Sequence, residues 1–132
     1  MRWVKEDFLI SDDVSTIDLE IVVSLLSTTY WAAKRDRETI KKSIEGSVVF
    51  GLYHSNNQIG FARVVTDKAT FSWVMDVVID EAYRERKLGT WLMECILDHP
   101  HIKHTSFGLA TKDAQSFYRK FNFYEEECMR RR

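Results

Sequence analysis

At 132 residues, 45% hydrophobic and 13% aromatic, the chain has the length and apolar content of one packed domain spanning 1–132, and its aromatic load excludes intrinsic disorder. A formal net charge of −1 supplies no global field for nucleic acid or an anionic membrane. Two cysteines are too few for a disulfide framework, and neither MRWVKEDF nor any later window has the apolar run of a signal peptide or membrane span, so a cytoplasmic, soluble protein is expected.

Phe8–Ser11 reads as a short strand. Ile17–Leu26 follows as a helix, with Leu19, Val22, Val23 and Leu26 at helical spacing. Thr28–Arg35 (TTYWAAKR) is a polar-aromatic connector. Asp36 caps a second helix that runs through Glu45, and Gly46 stops it. Val48–Tyr53 and Ile59–Thr66 are strands rich in β-branched residues, with Ser55, Asn56 and Asn57 as a hairpin turn. Phe71–Ile79 is the next strand. A polar turn with Arg84, Arg86 and Lys87 leads into a helix carrying Leu88, Trp91, Leu92, Cys95 and Ile96 on one face, with Pro100 beyond its end. Thr105–Ala110 is a strand. Thr111 or Asp113 caps a last helix with Ala114, Phe117, Tyr118 and Phe121 on one face, and a final short strand starts at Phe123. Arg130, Arg131 and Arg132 make a solvated basic end. The order predicts an α+β fold: a central mixed, mostly antiparallel sheet flanked by helices, with one parallel crossover.

The stretch Val77–Ile96, VVIDEAYRERKLGTWLMECI, carries the most chemistry. A strand that turns through cations and Gly89 into a helix builds an anion site. The first-turn N–H groups point outward and the helix dipole adds positive charge there. A phosphate-bearing ligand is expected at Arg84, Arg86, Lys87, Leu88, Gly89 and Thr90. Asp76 interrupts the apolar strand. Strict alternation puts it on the face opposite Met75, Val77 and Ile79, and a bulge would re-aim it. It is solvent-facing, specifically hydrogen-bonded or functional. His54, His99, His101 and His104 lack metal-ligand spacing, so no metal site is expected, and His99 and His101 flank Pro100 on the surface. Cys95 reads as a buried free thiol.

The turn and the element order resemble the GCN5-related N-acetyltransferase (GNAT) superfamily. Its signature of Arg or Gln, two variable residues, Gly, one variable residue, then Gly or Ala aligns with Arg84, Glu85, Arg86, Lys87, Leu88 and Gly89, after Tyr83. ATKDAQSFYRKFNF, Ala110–Phe123, is similar to the family's later tyrosine motif. Two residues depart from the pattern: Lys87 and Asn122 stand where glycine is usual. If position 87 needs positive φ, a side chain there costs about 1–2 kcal/mol. YWAAKR and IGFARVVTD look like a bacterial-type group of small, single-domain members.

The resemblance implies acetyl-coenzyme A (acetyl-CoA) as cofactor, its diphosphate across the amides of Arg86–Thr90 and its pantetheine arm along Val77, Val78 and Ile79. It implies Tyr118 as the acid that protonates the departing thiolate. It places Tyr30, Trp31 and Arg35 in the segment that drapes over substrate. Asp76 is the best candidate for the base; a water is the other choice. The expected function is transfer of acetyl to a primary amine of a small molecule or peptide by direct attack on the thioester. A non-catalytic acyl-CoA sensor or scaffold of the same fold is the alternative, motivated by Lys87. A nucleic-acid or protein interaction domain is disfavoured by the neutral net charge. Strand edges near the C-terminus allow a homodimer, as often seen in the family. The sequence does not name the acceptor.

Overall fold

A computed structural model describes all 132 residues. One sheet holds six strands in chain order: β1 Arg2–Lys5, β2 Phe8–Ser11, β3 Val48–His54, β4 Asn57–Thr66, β5 Phe71–Ile79 and β6 Ser106–Leu109. The first five pair antiparallel, and β6 runs parallel to β5. Helices α1 (Leu19–Leu26) and α2 (Arg37–Glu45) lie between β2 and β3 in sequence. Helix α3 (Leu88–Asp98) makes the parallel crossover, and α4 (Gln115–Arg119) follows β6.

Local chemistry explains most boundaries. Asp18 caps α1 by accepting from the N–H groups of Glu20 and Ile21, and Asp36 caps α2 by accepting from Thr39. Each cap stabilises its helix by about 1 kcal/mol. The Asp18 cap starts α1 at Leu19, two residues later than the apolar spacing predicts, because Val14–Thr16 forms a separate 3₁₀ turn. Ser55 and Asn56, at φ 49° and 72°, join β3 to β4 in a two-residue turn whose twist matches the strands.

Apolar side chains cover both faces of the sheet. On one, Val22, Leu25 and Leu26 of α1 and Ile40 and Ile44 of α2 bury Val49, Phe61 and Val78. On the other, Leu88, Leu92, Met93 and Ile96 of α3 bury Phe50, Leu52, Ala62, Val64 and Val74, with Phe117, Tyr118 and Phe121 packed at the margin. Burial, then the charges of Glu94 and Asp98, push the Cys95 thiol up to about 12. No helix is long and apolar enough to cross a membrane.

One strand is unexpected and three expectations fail. Strand β1 has no sequence signal: in RWVK only Trp3 is half-buried and Val4 is 71% exposed, so alternation is absent. The final strand from Phe123 does not form; residues 123–132 have no regular structure. Neither Thr111 nor Asp113 caps α4. Thr111 Oγ1 accepts from Ala114 N–H, one turn early, and Ala114 itself sits at the N-cap. His99 is buried, not on the surface: its Nε2 donates to Asp12 Oδ2 at 2.7 Å and its Nδ1 accepts from His101 N–H.

Candidate functional site

Beyond β5, Asp80 caps a 3₁₀ turn at Glu81–Tyr83 by accepting from Ala82 N–H at 2.9 Å. Tyr83 anchors the turn: its hydroxyl meets His54 Nδ1 at 2.8 Å and its ring lies 5.3 Å beneath the Arg86 guanidinium. The chain then passes through Glu85 at φ 68° and Lys87 at φ 60°. Left-handed residues in a turn swing neighbouring amides to one side and can form an anion-binding concavity. The N–H groups of Glu85, Arg86, Lys87, Leu88, Gly89 and Thr90 have no acceptor within the protein. The first internal bond of α3 is Trp91 N–H to Lys87 C=O. Arg84, Arg86 and Lys87 are all exposed beside these donors. Lys87 does adopt the left-handed conformation that the glycine of the resemblance implies. A Cβ on Gly89 would meet the Phe117 ring at 3.7 Å, an ordinary contact, so the protein itself tolerates Gly or Ala there.

Asp76 sits in a bulge. Met75 pairs with Arg63 and Val78 with Phe61, which leaves Asp76 and Val77 opposite Ala62 alone. Asp76 takes φ 58°. The side chain lies on the α1–α2 face with Arg63: alternation holds toward Val77 and Ile79, which lie on the α3 face, and the bulge breaks it toward Val74, which lies on the α3 face as well. Oδ2 accepts from Arg63 Nε at 2.6 Å and Arg35 Nη1 at 2.7 Å, and Oδ1 accepts from Trp31 Nε1 at 3.0 Å. Arg63 also donates to Ser47 Oγ at 3.2 Å. The Asp76 side chain is 1% exposed. Burial raises its pKa, but the hydrogen bond and charge of Arg63, then those of Arg35, outweigh it and hold the carboxyl below its ordinary value. Of the three readings open from sequence, the specifically hydrogen-bonded one describes this residue. A carboxylate held by two guanidinium groups is a poor proton acceptor, so the geometry speaks against Asp76 as the base.

Tyr118 packs edge-on against Phe117, with ring centroids 5.0 Å apart, and lies near Phe123 at 6.0 Å. Its hydroxyl makes no hydrogen bond within the protein. Burial, then the nearby Tyr30, raise its pKa, so it stays protonated at neutral pH with its donor free. Tyr30 Oη accepts from Lys112 N–H at 3.1 Å, and the Lys112 ammonium lies 5.6 Å over the Tyr30 ring. Tyr30 meets Trp31 edge to face at 5.1 Å. The connector thus reaches the β5 bulge through Trp31 and Arg35, and the β6–α4 loop through Tyr30.

Between those two anchor points the strands part. β5 and β6 pair from Phe71–Ser106 to Val74–Leu109 and no further, so residues 75–79 of β5 have no partner on that side. Val77 and Ile79 are half-buried on the α3 face, while Val78 is buried under α1 and α2. The side chains of Val77 and Ile79, of Leu88 at the start of α3 and of Tyr118 all pack into the apolar cluster on the α3 face. A cleft of about 820 Å³ continues past Tyr118 along the outside of β6, lined by Trp73, Phe107, Leu109 and Phe123.

Arg63 is the site residue that sequence reasoning misses. Its signal was present: a lone cation inside the apolar strand IGFARVVT, one strand away from a lone carboxylate. Buried charges occur in pairs, so each implied the other. No three His, Cys, Asp or Glu side chains come together as metal ligands.

The profile of the acetyltransferase (GNAT) domain family matches residues 45–125, which include the turn, the bulge and Tyr118. A GNAT-family protein of Xanthomonas campestris pv. campestris superposes with a TM-score of 0.90 at 30% identity, covering 95% of this chain and 92% of that one. A Staphylococcus aureus protein of unknown function superposes at 0.77 with 21% identity over 95% and 98% of the two chains. A GNAT-family acetyltransferase of Streptococcus pneumoniae superposes at 0.69 with 23% identity over 89% and 86%. The last two establish likeness of fold alone.

Proposed function

This chain belongs to the GNAT acetyltransferase family, and on that premise we propose that it transfers acetyl from acetyl-CoA to a primary amine of a small molecule or peptide. The observation that carries this reading is the run of six consecutive amides, Glu85–Thr90, without protein acceptors, at the end of a strand whose edge is open. Unpaired main-chain donors beside three cations suit a diphosphate. The open edge of β5 suits an extended arm that offers its own amides. These features fit acetyl-CoA. The amides of Arg86–Thr90, with Arg84 and Arg86, would hold its diphosphate, and Val77, Val78 and Ile79 its pantetheine arm.

When bound, acetyl-CoA supplies an acetyl group activated as a thioester. The chain's own residues supply position and a proton. Tyr118 holds its proton at Oη with no internal acceptor competing for it, so it is the candidate acid. Reference pKa values of about 8.5 for a thiol and 10 for a phenol make that transfer uphill by roughly 2 kcal/mol, and the raised Tyr118 pKa adds to this, a cost still small beside a chemical barrier. Asp76 acts as an anchor: it fixes Trp31 and Arg35, and with them the connector, over the parting of β5 and β6. Water accepts the proton that the amine loses, because the one buried carboxylate nearby is committed to two arginines.

Release of free thiol from acetyl-CoA against a panel of primary amines tests this. Turnover is expected, and Tyr118→Phe should lower kcat on the order of 10² while coenzyme A affinity, measured by calorimetry, stays unchanged. Coenzyme A binding with no turnover on any amine would favour the sensor or scaffold. Absence of coenzyme A binding would remove both readings.

A further inference from the structure

The bulge on β5 holds more positive charge than the fold needs. Arg63 alone neutralises Asp76, with its Nε 2.6 Å from Oδ2 and its side chain 9% exposed. Arg35 brings a second guanidinium to the same oxygen at 2.7 Å, and its side chain keeps 19% exposure. Two guanidinium groups against one carboxylate leave one positive charge uncompensated. No other acidic side chain lies within ion-pair distance of Arg35. A guanidinium has five N–H donors, and only one of those on Arg35 finds an acceptor in the protein. On the facing loop the near charge is again a cation, Lys112, stacked over Tyr30. The nearest acidic neighbour in sequence, Asp36, is occupied in capping α2.

Aromatic surface flanks this charge. Tyr30 is 56% exposed and Trp31 43%, yet neither is loose. Trp31 is tied by Nε1 to Asp76 and Tyr30 by its hydroxyl to Lys112 N–H. Rings held rigid at the surface, next to a guanidinium with spare donors, make a receptor for a molecule with an apolar body and an anionic group.

We propose that Arg35 determines acceptor specificity by binding an anionic group, carboxylate or phosphate, carried by the amine, with Trp31 and Tyr30 against the rest of the molecule. The inference rests on the acetyltransferase reading above. It narrows the acceptor from any primary amine to amines that bear a negative charge.

Two matched pairs of probes test it: phenylalanine with phenylalaninamide, and phosphoethanolamine with ethanolamine. Binding is read from tryptophan fluorescence with coenzyme A saturating, with Trp31→Phe identifying the responding ring. Turnover is read from thiol release. The charged member of at least one pair should bind about 10- to 100-fold more tightly than its neutral partner, with a matching preference in KM. The pair that responds tells carboxylate from phosphate. Arg35→Gln should bring the ratio within that pair close to one. Arg35→Lys, which keeps the charge and the ion pair to Asp76 but loses the planar fork, should give an intermediate ratio and serves if the glutamine variant fails to fold. Equal binding within both pairs, or a ratio unmoved by either variant, overturns the inference. Discrimination in binding without turnover of any amine would sink the acetyltransferase reading and leave Arg35's role standing. Turnover of charged and neutral partners alike would do the reverse.

Discussion

A single backbone angle at Lys87 joins the fold to the candidate site. At φ 60° this residue occupies a conformation that costs a side chain about 1–2 kcal/mol and costs glycine little. The same angle turns the amides on either side of it outward. Lys87→Gly should therefore stabilise the protein, by about 1 kcal/mol once the greater freedom of glycine in the unfolded chain is counted. It should also weaken coenzyme A binding, by up to about five-fold, since an exposed ion pair between one lysine and a phosphate is worth about 0.2–1 kcal/mol. Urea denaturation and calorimetry measure the two effects. A destabilised variant would mean that the lysine side chain contributes more than it strains. The two thiols give a second check at this scale. Cys128 is exposed and Cys95 buried with its thiol pushed up to about 12, so a thiol reagent at neutral pH should modify one cysteine at once and the second only on unfolding. The sequence located Lys87 through the signature match and Cys95 through its place on an apolar helix face. It did not reveal φ at Glu85, because nothing in a glutamate announces a left-handed backbone.

The elements that were legible are those whose signal repeats. Helix α3 places Leu88, Leu92, Cys95 and Ile96 inward at helical spacing, and β3 to β5 are largely apolar stretches with recurring β-branched and aromatic residues. The place of the bulge in β5 was not legible, because one extra residue in a strand leaves composition unchanged while reversing the faces of its two halves relative to each other, Val74 toward α3 and Asp76 and Val78 toward α1 and α2. That reversal joins Asp76 to Arg63 and Arg35, and it makes the strand's stability depend on an ion cluster. Asp76→Asn leaves the buried Arg63 and half-buried Arg35 guanidinium groups against a neutral amide and should cost about 3–5 kcal/mol. The pH dependence has a definite sign. The folded pKa of Asp76 is depressed, so its contribution is complete above the unfolded value of about 3.9 and is lost as pH falls through the lower folded value. Denaturant midpoints between about pH 2.5 and 6 should show wild type and Asp76→Asn converging as the solution becomes acidic. A gap that stayed constant with pH would mean that the side chain's shape, not its charge, holds the cluster.

Across the whole molecule, stability is distributed unevenly, and the uneven part coincides with the proposed site. β4 is paired on both sides over most of its length and buries seven consecutive residues, Gln58–Val64. β6 pairs over four residues only, α4 has five, and neither contains a fully buried residue. The segment from Phe123 adds no strand to shield the outer edge of β6, although a short one is expected there from the sequence: its ten residues, rich in Glu and Arg, bury too little to order one. Hydrogen exchange should therefore show β4 protected to the level of global unfolding, with 106–119 opening at much lower free energy. Coenzyme A should slow exchange in two places at once. The amides of 85–90 should change most, because they have no acceptor until a diphosphate provides one. Those of 106–119 should follow, because Tyr118 and the open edge of β5 close on the same ligand from the α3 side. Slowing confined to 106–119 would mean that the ligand sits in the cleft outside β6 and that the free amides are left to water. Slowing at 85–90 alone would place the diphosphate correctly but leave Tyr118 out of reach of the thioester, and the case for it as the acid would fall.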